Sequence, residues 1–411
     1  MDYKEIQPVA KVSGTVAICG AKNSALLLLA AVLLMDGKVL LERVPGISDV
    51  KKMCDILAML NVKVRWVGDD ALFIDPSEAQ YQDLMAEVCG EIRTSVLFLG
   101  VLLGRFKKAK LRMPGGCQLG PRPINFHIQA MEAMGATIEQ EGLHVSGDMD
   151  NKKPSVVSFA QSTVTGTANA ILCAVSLSQP VTIEGAALEP EIDDLINFLV
   201  QAGANIVRQG RNIQICGGNR LETKRYRVMP DRIEAGTFLI AATILGGEVT
   251  VDDIIPQHLL AVIDALRRVG AIVDVGESHI SLKMTQKPKA VDITAKEYPY
   301  FPTDLQPQWC VLSIISQGQS CIEDHVFPER FDHMDELKKI GAKFKKCPRG
   351  VVISGGSRLA GGSMYAGNLR SAAALILGAL SATSPSKIVQ ISVLNRGYPH
   401  FFLKINNILN H

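Results

Sequence analysis

The hydrophobic and polar positions of this chain follow a pattern that repeats along its length. A helix-like segment that ends in Gly-Ala and leads into a short β-type segment occurs at Gly135, Gly203, Gly270 and Gly341. A weaker copy lies near Asn61, and another lies near the C-terminus. A spacing of about 70 residues is typical of a repeat architecture. The pattern therefore predicts six copies of one supersecondary unit.

Each copy has the same internal order. A short polar step precedes a helix that is apolar nearly all round, as in residues 25–34 and 371–380, and such helices belong inside a core. A β-type run follows, and then a one-sided helix, as shown by Ile192, Leu195 and Leu199 at i, i+3 and i+7. Alternating strands and helices predict an α/β fold. Six units are too many for one core, so we expect three in each of two lobes.

The polar steps carry candidate chemistry. If the inner helices of a lobe point the same way, their N-termini lie on one surface and attract anions. A single arginine at such a place is usually solvated or caps a carbonyl. Several cations at equivalent places predict a site for a multiply charged anion, because arginine grips carboxylate and phosphate with two N–H groups. These cations are Lys22, Arg93, Arg122, Arg330, Arg370 and Arg396.

Composition narrows the class of protein. The 411 residues carry 43 Lys+Arg and 41 Asp+Glu, a net charge of +2, which is too balanced for a general nucleic-acid binder. The longest apolar run, residues 25–35, is about half of what spans a bilayer. The N-terminus lacks the basic and apolar regions of a signal peptide. We therefore expect no nucleic-acid or membrane partner and a cytoplasmic location.

Familiar cofactor motifs are absent from the sequence. The nine cysteines and eight histidines show no metal-ligand spacing. The chain has no GxxxxGK[ST] phosphate loop, no GxGxxG after a strand and no HExxH. We therefore predict neither a cofactor nor a metal.

One loop differs from the rest of the chain. Residues 112–123 contain three glycines and three prolines with no apolar period, and Cys117 lies there between Arg112 and Arg122. Nearby cations favour the thiolate. Cys117 is therefore a candidate acid, base or nucleophile, and the alternative is an inert loop thiol.

A carboxylate, Asp304, stands at the start of a predicted helix in Phe301-Pro302-Thr303-Asp304. From the residues alone the ordinary interpretation is an N-cap, and the alternative is a reactive carboxylate.

Together these segments resemble the enolpyruvyl transferases, and within them the branch that acts on UDP-N-acetylglucosamine. The resemblance extends from Met1 to Tyr398, and the branch that acts on shikimate 3-phosphate fits less well because it lacks the cysteine loop. The motifs that carry it, in order, are Gly20-Ala21-Lys22-Asn23, Pro114-Gly115-Gly116-Cys117, Gly120-Pro121-Arg122-Pro123, Pro230-Asp231-Arg232-Ile233-Glu234, Phe301-Pro302-Thr303-Asp304-Leu305-Gln306 and Arg396-Gly397-Tyr398.

The resemblance implies a fold and a division into domains. The fold would be a two-lobe inside-out α/β barrel built from six βαβ-type repeats, with lobes that close around the substrate. Residues 22–229 would form the first lobe, with the Cys117 loop. Residues 1–21 and 230–411 would form the second lobe, with Asp304, Arg330, Arg370 and Arg396.

The resemblance also implies a reaction. The enolpyruvyl group of phosphoenolpyruvate would pass to the 3-hydroxyl of UDP-N-acetylglucosamine, through a tetrahedral ketal and with release of phosphate. This is the first committed step of peptidoglycan precursor synthesis for the cell wall.

Individual roles follow by positional match to the family. Cys117 would protonate the methylene carbon, and in family members this cysteine forms a covalent adduct. Asp304 would bind the sugar hydroxyl and take its proton. Lys22, Arg122 and Arg396 would face the phosphate, and Arg330 and Arg370 the carboxylate. The nucleotide sugar would contact Asn23, Arg93, Arg122, Pro123, Ile124, Asn125, Phe126, Thr163, Val164, Asp304 and Val326.

Four positions depart from the family pattern. Asn368 and Asn125 stand where Asp is usual, Gln161 where Lys is frequent, and Pro399 where Glu is usual. These changes lie around the nucleotide sugar and the last unit. Two alternatives therefore stay open beside an enzyme that transfers enolpyruvyl to UDP-N-acetylglucosamine. One is a paralogue that transfers to another nucleotide or nucleotide sugar. The other is a catalytically silent nucleotide-sugar binder acting as a regulator. The retained Cys117, Asp304, Lys22 and Arg396 argue against it.

Overall fold

The computed structural model describes residues 2–112 and 124–409, and within them 22 β-strands and 13 α-helices. The strands are β1 Tyr3–Ile6, β2 Val12–Ala17, β3 Val39–Glu42, β4 Lys63–Val67, β5 Ala71–Asp75, β6 Lys108–Arg112, β7 Ala136–Glu141, β8 His144–Met149, β9 Ser155–Ser158, β10 Val181–Glu184, β11 Asn205–Gln209, β12 Asn212–Cys216, β13 Arg225–Arg227, β14 Gly247–Asp252, β15 Ile272–Val275, β16 His279–Met284, β17 Ile293–Ala295, β18 Gln319–Asp324, β19 Lys343–Cys347, β20 Gly350–Ser354, β21 Ser363–Tyr365 and β22 Ser386–Val389.

The helices are α1 Lys22–Ala31, α2 Ser48–Met59, α3 Glu87–Glu91, α4 Leu97–Phe106, α5 Asn125–Ala133, α6 Val164–Ala174, α7 Pro190–Gln201, α8 Arg232–Leu245, α9 Leu260–Arg268, α10 Gln306–Ile315, α11 Asp332–Lys338, α12 Leu369–Leu380 and α13 Phe401–Ile408. Short 3-10 turns precede several of them, among them Thr303–Leu305 before α10.

The described residues form two compact units. We call residues 20–112 and 124–229 the first unit, and residues 2–19 and 230–409 the second unit. Each unit contains three sheets. In the first unit the strand orders are β13-β3-β5-β4, β11-β12-β10-β9 and β6-β8-β7, and in the second unit they are β15-β16-β14-β2, β17-β18-β20-β19 and β1-β22-β21.

The sheets confirm the predicted repeat. In four of them a pair of parallel strands is extended by an antiparallel hairpin: β9 runs parallel to β10, for example, and β12 and β11 are added beyond it. In β6-β8-β7 the parallel bridge from Leu84 to Leu111 takes the place of the fourth strand. The predicted helix stops are also confirmed. Their residues all have positive φ, namely Gly135, Gly203, Gly270 and Gly341, with Asn61 at the equivalent place in the first copy.

The predicted inner helices form the core of each unit. Helices α1, α4 and α6 contact one another in the first unit, and α8, α10 and α12 do so in the second. All residues of α8 and α12 are buried, so neighbouring elements cover every side of both helices. The α/β fold class is therefore confirmed. Within the described residues no helix is long and apolar enough to cross a membrane.

Side-chain caps set the first residue of two inner helices. Thr163 Oγ1 caps α6 by accepting the Gly166 N–H at 3.2 Å, so Gly166 lies in the first turn of that helix. Helix α8 begins at Arg232, since Asp231 Oδ1 accepts the N–H groups of Ile233 and Glu234 at 2.8 and 3.0 Å. In both cases side-chain capping decides the boundary.

Candidate functional site

A carboxylate held by two arginines is the main polar feature of the second unit. Asp304 Oδ1 accepts from Arg330 Nη1 at 2.8 Å, and Asp304 Oδ2 accepts from Arg370 Nη2 at 2.8 Å. The two arginine side chains are only 7% and 6% exposed, whereas Asp304 is 21% exposed. The structure thus brings together three residues that are far apart in sequence, and it shows that the arginine pair can bind a carboxylate.

The arginines change the acidity of Asp304. Burial alone would raise the pKa of its carboxyl, but the charges of Arg370 and Arg330, with their hydrogen bonds, outweigh burial and hold the pKa well below its usual value. A carboxylate with a lowered pKa is a weak base. Asp304 becomes a better base only where the arginines are engaged elsewhere.

The capping interpretation of Asp304 is wrong. Asp304 lies in the 3-10 turn Thr303–Leu305, and neither that turn nor α10 has a side-chain cap. Its two oxygens are occupied by arginines brought from α12 and from the segment before α11. The sequence around Asp304 contains no sign of these partners.

Two residues that the sequence reasoning missed support Arg330. Arg330 Nη1 also donates to Thr303 Oγ1 at 2.9 Å, and the Thr303 hydroxyl donates to Asp324 Oδ2 at 2.5 Å. Thr303 belongs to a motif already singled out, whereas Asp324 shows only as a polar residue at the end of a β-type run. The Nε of Arg330 is buried and has no hydrogen-bond partner within the described residues.

Arg370 packs against the ring of Tyr398, which is held by a buried hydrogen-bond network. Its guanidinium lies 5.5 Å from the ring centre of Tyr398. The Tyr398 hydroxyl lies 2.9 Å from Thr237 Oγ1, and Gln308 Nε2 donates to it at 3.1 Å. These residues belong to α8, α10 and the segment after Arg396, so Tyr398 links three elements under the arginine. Arg396 itself ends a 3-10 turn and is half-buried.

In the first unit the candidate cation Lys22 has a carboxylate partner. Lys22 Nζ lies 2.8 Å from Asp49 Oδ2, and the two side chains are 12% and 5% exposed. Lys22 is the first residue of α1 and Asp49 lies in the first turn of α2. Asp49 was not among the predicted residues, although an acidic residue in a first helical turn is common.

The predicted sugar contacts of the first unit lie at helix N-termini. Asn23 is in the first turn of α1, Thr163 and Val164 are at the start of α6, and Asn125 and Phe126 open α5 after the buried Ile124. Arg93 opens the 3-10 turn before α4. Free N–H groups at such ends suit anionic or polar ligands.

A buried histidine joins two of these helices. His127 Nδ1 is 3.0 Å from Asn169 Nδ2, and His127 Nε2 is 3.3 Å from Thr165 Oγ1. Since the amide must donate to Nδ1, the proton of the neutral ring is on Nε2. Burial, and next the charge of Arg93, lower the pKa of His127 to about 3. His127 therefore stays neutral and ties α5 to α6. Nothing in its sequence spacing indicates this role.

The remaining predicted residues are Cys117, Arg122, Pro123 and Val326. The first three lie outside the described residues. Val326 lies in the turn after β18, where its N–H donates to Asp324. Within the described residues no group of three or more His, Cys, Asp or Glu could hold a metal ion.

The departures from the family pattern have different structural settings. Asn368 caps α12, because its Oδ1 accepts the N–H groups of Arg370 and Ser371 at 3.1 and 3.0 Å. An aspartate would do the same, so the amide keeps the cap and removes one negative charge beside Arg370. Gln161 is exposed and Pro399 is buried.

Comparison with known proteins gives a consistent set of similarities. The family model described as EPSP synthase (3-phosphoshikimate 1-carboxyvinyltransferase) matches residues 6–405. The UDP-N-acetylglucosamine 1-carboxyvinyltransferase of Wolinella succinogenes is 36% identical, over 97% of this chain and 96% of its own. UDP-N-acetylglucosamine 1-carboxyvinyltransferase 2 of Listeria monocytogenes is 39% identical, over 98% and 95%.

Solved structures share the fold. The enolpyruvyl transferase NikO from Streptomyces tendae superposes with a TM-score of 0.89 at 22% identity, covering 99% of this chain and 97% of its own. EPSP synthase from Acinetobacter baumannii gives a TM-score of 0.77 at 16% identity, covering 100% and 99%. At these identities the likeness concerns the fold alone.

Proposed function

Since this chain belongs to the EPSP synthase (enolpyruvyl transferase) family, we propose that it transfers the enolpyruvyl group of phosphoenolpyruvate to the 3-hydroxyl of UDP-N-acetylglucosamine and releases phosphate. This acceptor is favoured because relatives that share 36% and 39% of their residues along almost the whole chain carry that name. The reaction would serve peptidoglycan precursor synthesis.

The observation that carries the proposal is the buried pair Arg330 and Arg370 with a carboxylate already between them. Both arginines donate to Asp304 at 2.8 Å. A planar carboxylate with two acceptor oxygens matches two guanidinium groups. The carboxylate of phosphoenolpyruvate has this geometry, and the proposal assigns it to the same two arginines.

Binding of that carboxylate would also prepare the base. A substrate carboxylate competes with Asp304 for Arg330 and Arg370, and each hydrogen bond that it takes removes a stabilising contact from Asp304. The pKa of Asp304 then rises towards its ordinary value, and Asp304 accepts the proton of the sugar hydroxyl more readily. In this way the acceptor is activated after phosphoenolpyruvate has bound.

The other roles follow the family pattern. Lys22, Arg122 and Arg396 face the phosphate, and Asp49 holds the Lys22 ammonium in place. Cys117 protonates the methylene carbon. The nucleotide sugar contacts the N-terminal ends of α1, α5 and α6, together with Arg93 and Val326. No cofactor takes part in these steps.

Phosphate release tests the proposal directly. The protein is incubated with phosphoenolpyruvate and UDP-N-acetylglucosamine, and phosphate release and the carboxyvinyl product are measured. Release with this acceptor is the expected result. Absence of release with any nucleotide or nucleotide sugar would overturn the proposal in favour of a silent binder.

A second candidate is transfer to another nucleotide or nucleotide sugar. Asn125, Gln161 and Asn368 favour it, because each replaces a charged residue usual in the family. Asn125 is one of the residues assigned to the nucleotide sugar, and Gln161 lies two residues before another, Thr163. The same assay with a panel of nucleotides separates the two. Release only with an acceptor other than UDP-N-acetylglucosamine would support the second candidate.

The role of Cys117 has its own test. An epoxide analogue of phosphoenolpyruvate such as fosfomycin should label the parent protein, and Cys117→Ser should abolish the label. Labelling that persists at another cysteine would contradict the assignment.

A further inference from the structure

Asp324 is a buried carboxylate to which the proposed reaction gives no role. It is the last residue of β18 and is fully buried. Its Oδ1 accepts the N–H groups of Val326 and Phe327 at 2.9 and 2.8 Å, and its Oδ2 accepts the Thr303 hydroxyl at 2.5 Å. Asp324 thus joins the turn after β18 to the 3-10 turn that contains Asp304.

The Thr303 hydroxyl connects Asp324 to Arg330. A hydroxyl has one proton, and that proton points to Asp324. Thr303 Oγ1 therefore offers a lone pair to Arg330 Nη1, which lies 2.9 Å away and also donates to Asp304 at 2.8 Å. The orientation of the Arg330 guanidinium is consequently fixed by two acceptors, Thr303 Oγ1 and Asp304 Oδ1.

The charges favour the same arrangement. Burial raises the pKa of Asp324, and the hydrogen bonds from Phe327 and Thr303 and the charge of Arg330 oppose that rise. A buried carboxylate is costly without compensation. The positive charge of Arg330 supplies part of that compensation. The attraction between Arg330 and Asp324 also favours the position in which the guanidinium contacts Thr303.

We propose that Asp324 and Thr303 are positioning residues, which hold the guanidinium of Arg330 in the direction that binds the carboxylate of phosphoenolpyruvate. The inference rests on the proposed function, which assigns that carboxylate to Arg330 and Arg370. Neither positioning residue takes part in proton transfer.

Three single variants and the double variant Thr303→Val/Asp324→Asn test the path from Asp324 through Thr303 to Arg330. Thr303→Val removes the hydroxyl and keeps the shape, and Thr303→Ser keeps the hydroxyl. Asp324→Asn keeps an oxygen for the Val326 and Phe327 N–H groups but turns an N–H towards Thr303. The affinity for phosphoenolpyruvate is measured by calorimetry without acceptor, and the KM values for both substrates and kcat are measured with acceptor.

We expect Thr303→Val and Asp324→Asn each to weaken phosphoenolpyruvate binding by about 10- to 100-fold, the usual effect of losing a hydrogen bond to a charged group. Thr303→Ser should bind like the parent. The double variant should be no weaker than the weaker-binding single variant, because both changes break one path. The KM for the nucleotide sugar should stay unchanged in Thr303→Val.

Asp75→Asn is the matched control. Asp75 Oδ1 accepts the N–H and O–H groups of Ser77 at 3.1 and 2.6 Å in a similar turn of the first unit, so this variant should bind phosphoenolpyruvate like the parent. Unfolding temperatures are recorded for every variant. If Asp324→Asn does not fold, Thr303→Val against Thr303→Ser decides the question.

Several results would overturn the inference. These are unchanged binding in Thr303→Val, additive losses in the double variant, or equal losses for both substrates. A parent that binds phosphoenolpyruvate but never releases phosphate would refute the proposed function alone, since the binding constants still judge the positioning role. A parent that turns over while the variants bind normally would refute the positioning role alone. A parent that does not bind phosphoenolpyruvate would refute both.

Discussion

Replacing Asp304 by asparagine removes the negative charge between two buried arginines and keeps the shape of the side chain. The new amide would offer one oxygen to Arg330 or Arg370 and would turn its N–H groups towards the other. Two positive charges, each on a side chain no more than 7% exposed, would then lie close together without the carboxylate that separates them. We expect the variant to be less stable and nearly inactive.

The size of the stability effect follows from the geometry. Unit charges about 4 Å apart attract by about 4 kcal/mol at an effective dielectric constant near 20, and the carboxylate makes two such contacts. Desolvation offsets much of this attraction, and removal of one partner of a buried pair costs about 3–5 kcal/mol. Because Asp304 is 21% exposed, the lower end, about 3 kcal/mol, is expected at pH 7.

The effect should depend on pH in a defined direction. The folded-state pKa of Asp304 is lowered, so its contribution to stability is fully present above the unfolded pKa of about 3.9 and is lost as the pH falls towards the folded value. The stability difference between parent and variant should therefore shrink below pH ~4.

Urea unfolding followed by circular dichroism measures this difference, and phosphate release measures turnover. Loss of a general base lowers turnover by about 10²–10⁴-fold. Asp193→Asn is the control, since its pair with Arg208 is 55% exposed on the aspartate side and should matter by less than about 1 kcal/mol. An Asp304→Asn variant that loses less than about 1 kcal/mol at pH 7 would refute the idea that the arginines depend on Asp304.

Three other substitutions have expected outcomes in urea unfolding. Lys404→Met leaves the buried carboxylate of Glu234, 2.8 Å from Lys404 Nζ, without its cation and should lower the free energy of unfolding by about 3–5 kcal/mol. Adding Glu234→Gln to this variant should recover most of that stability. Gly100→Ala should cost about 1–3 kcal/mol, because a Cβ there would overlap Asn169. His127 has a pKa lowered from 6.5 to about 3, so the parent should lose about 1.4 kcal/mol per pH unit as the pH falls below 6.5, and His127→Gln should lack this loss.

Each of these expectations has a control or a contrary result. Lys63→Met breaks an exposed pair with Glu78 and should change stability by less than about 1 kcal/mol. Gly46→Ala meets no atom nearer than 3.8 Å and should be nearly neutral. Equal acid sensitivity of the parent and His127→Gln would show that this histidine does not govern the acid response.

The candidate site was only partly predictable from the sequence. Asp304, Arg330 and Arg370 were named as candidates from the polar steps and helix starts, and their roles came from the resemblance. Their mutual contact was not predictable, because nothing in local spacing tells which arginine reaches which oxygen. Asp324 and His127 were missed for the same reason, since their partners come from other elements.

What the sequence determined by itself was the repeat and the identity of the inner helices. A segment that is apolar all round, closed by a residue with left-handed backbone conformation, has few alternatives whatever surrounds it. The tertiary structure alone decided the charge state and direction of the polar groups. Burial, opposing charges and hydrogen bonds from distant segments set these properties, and residues such as Arg330 and Asp324 acquire them only when the chain has brought them together.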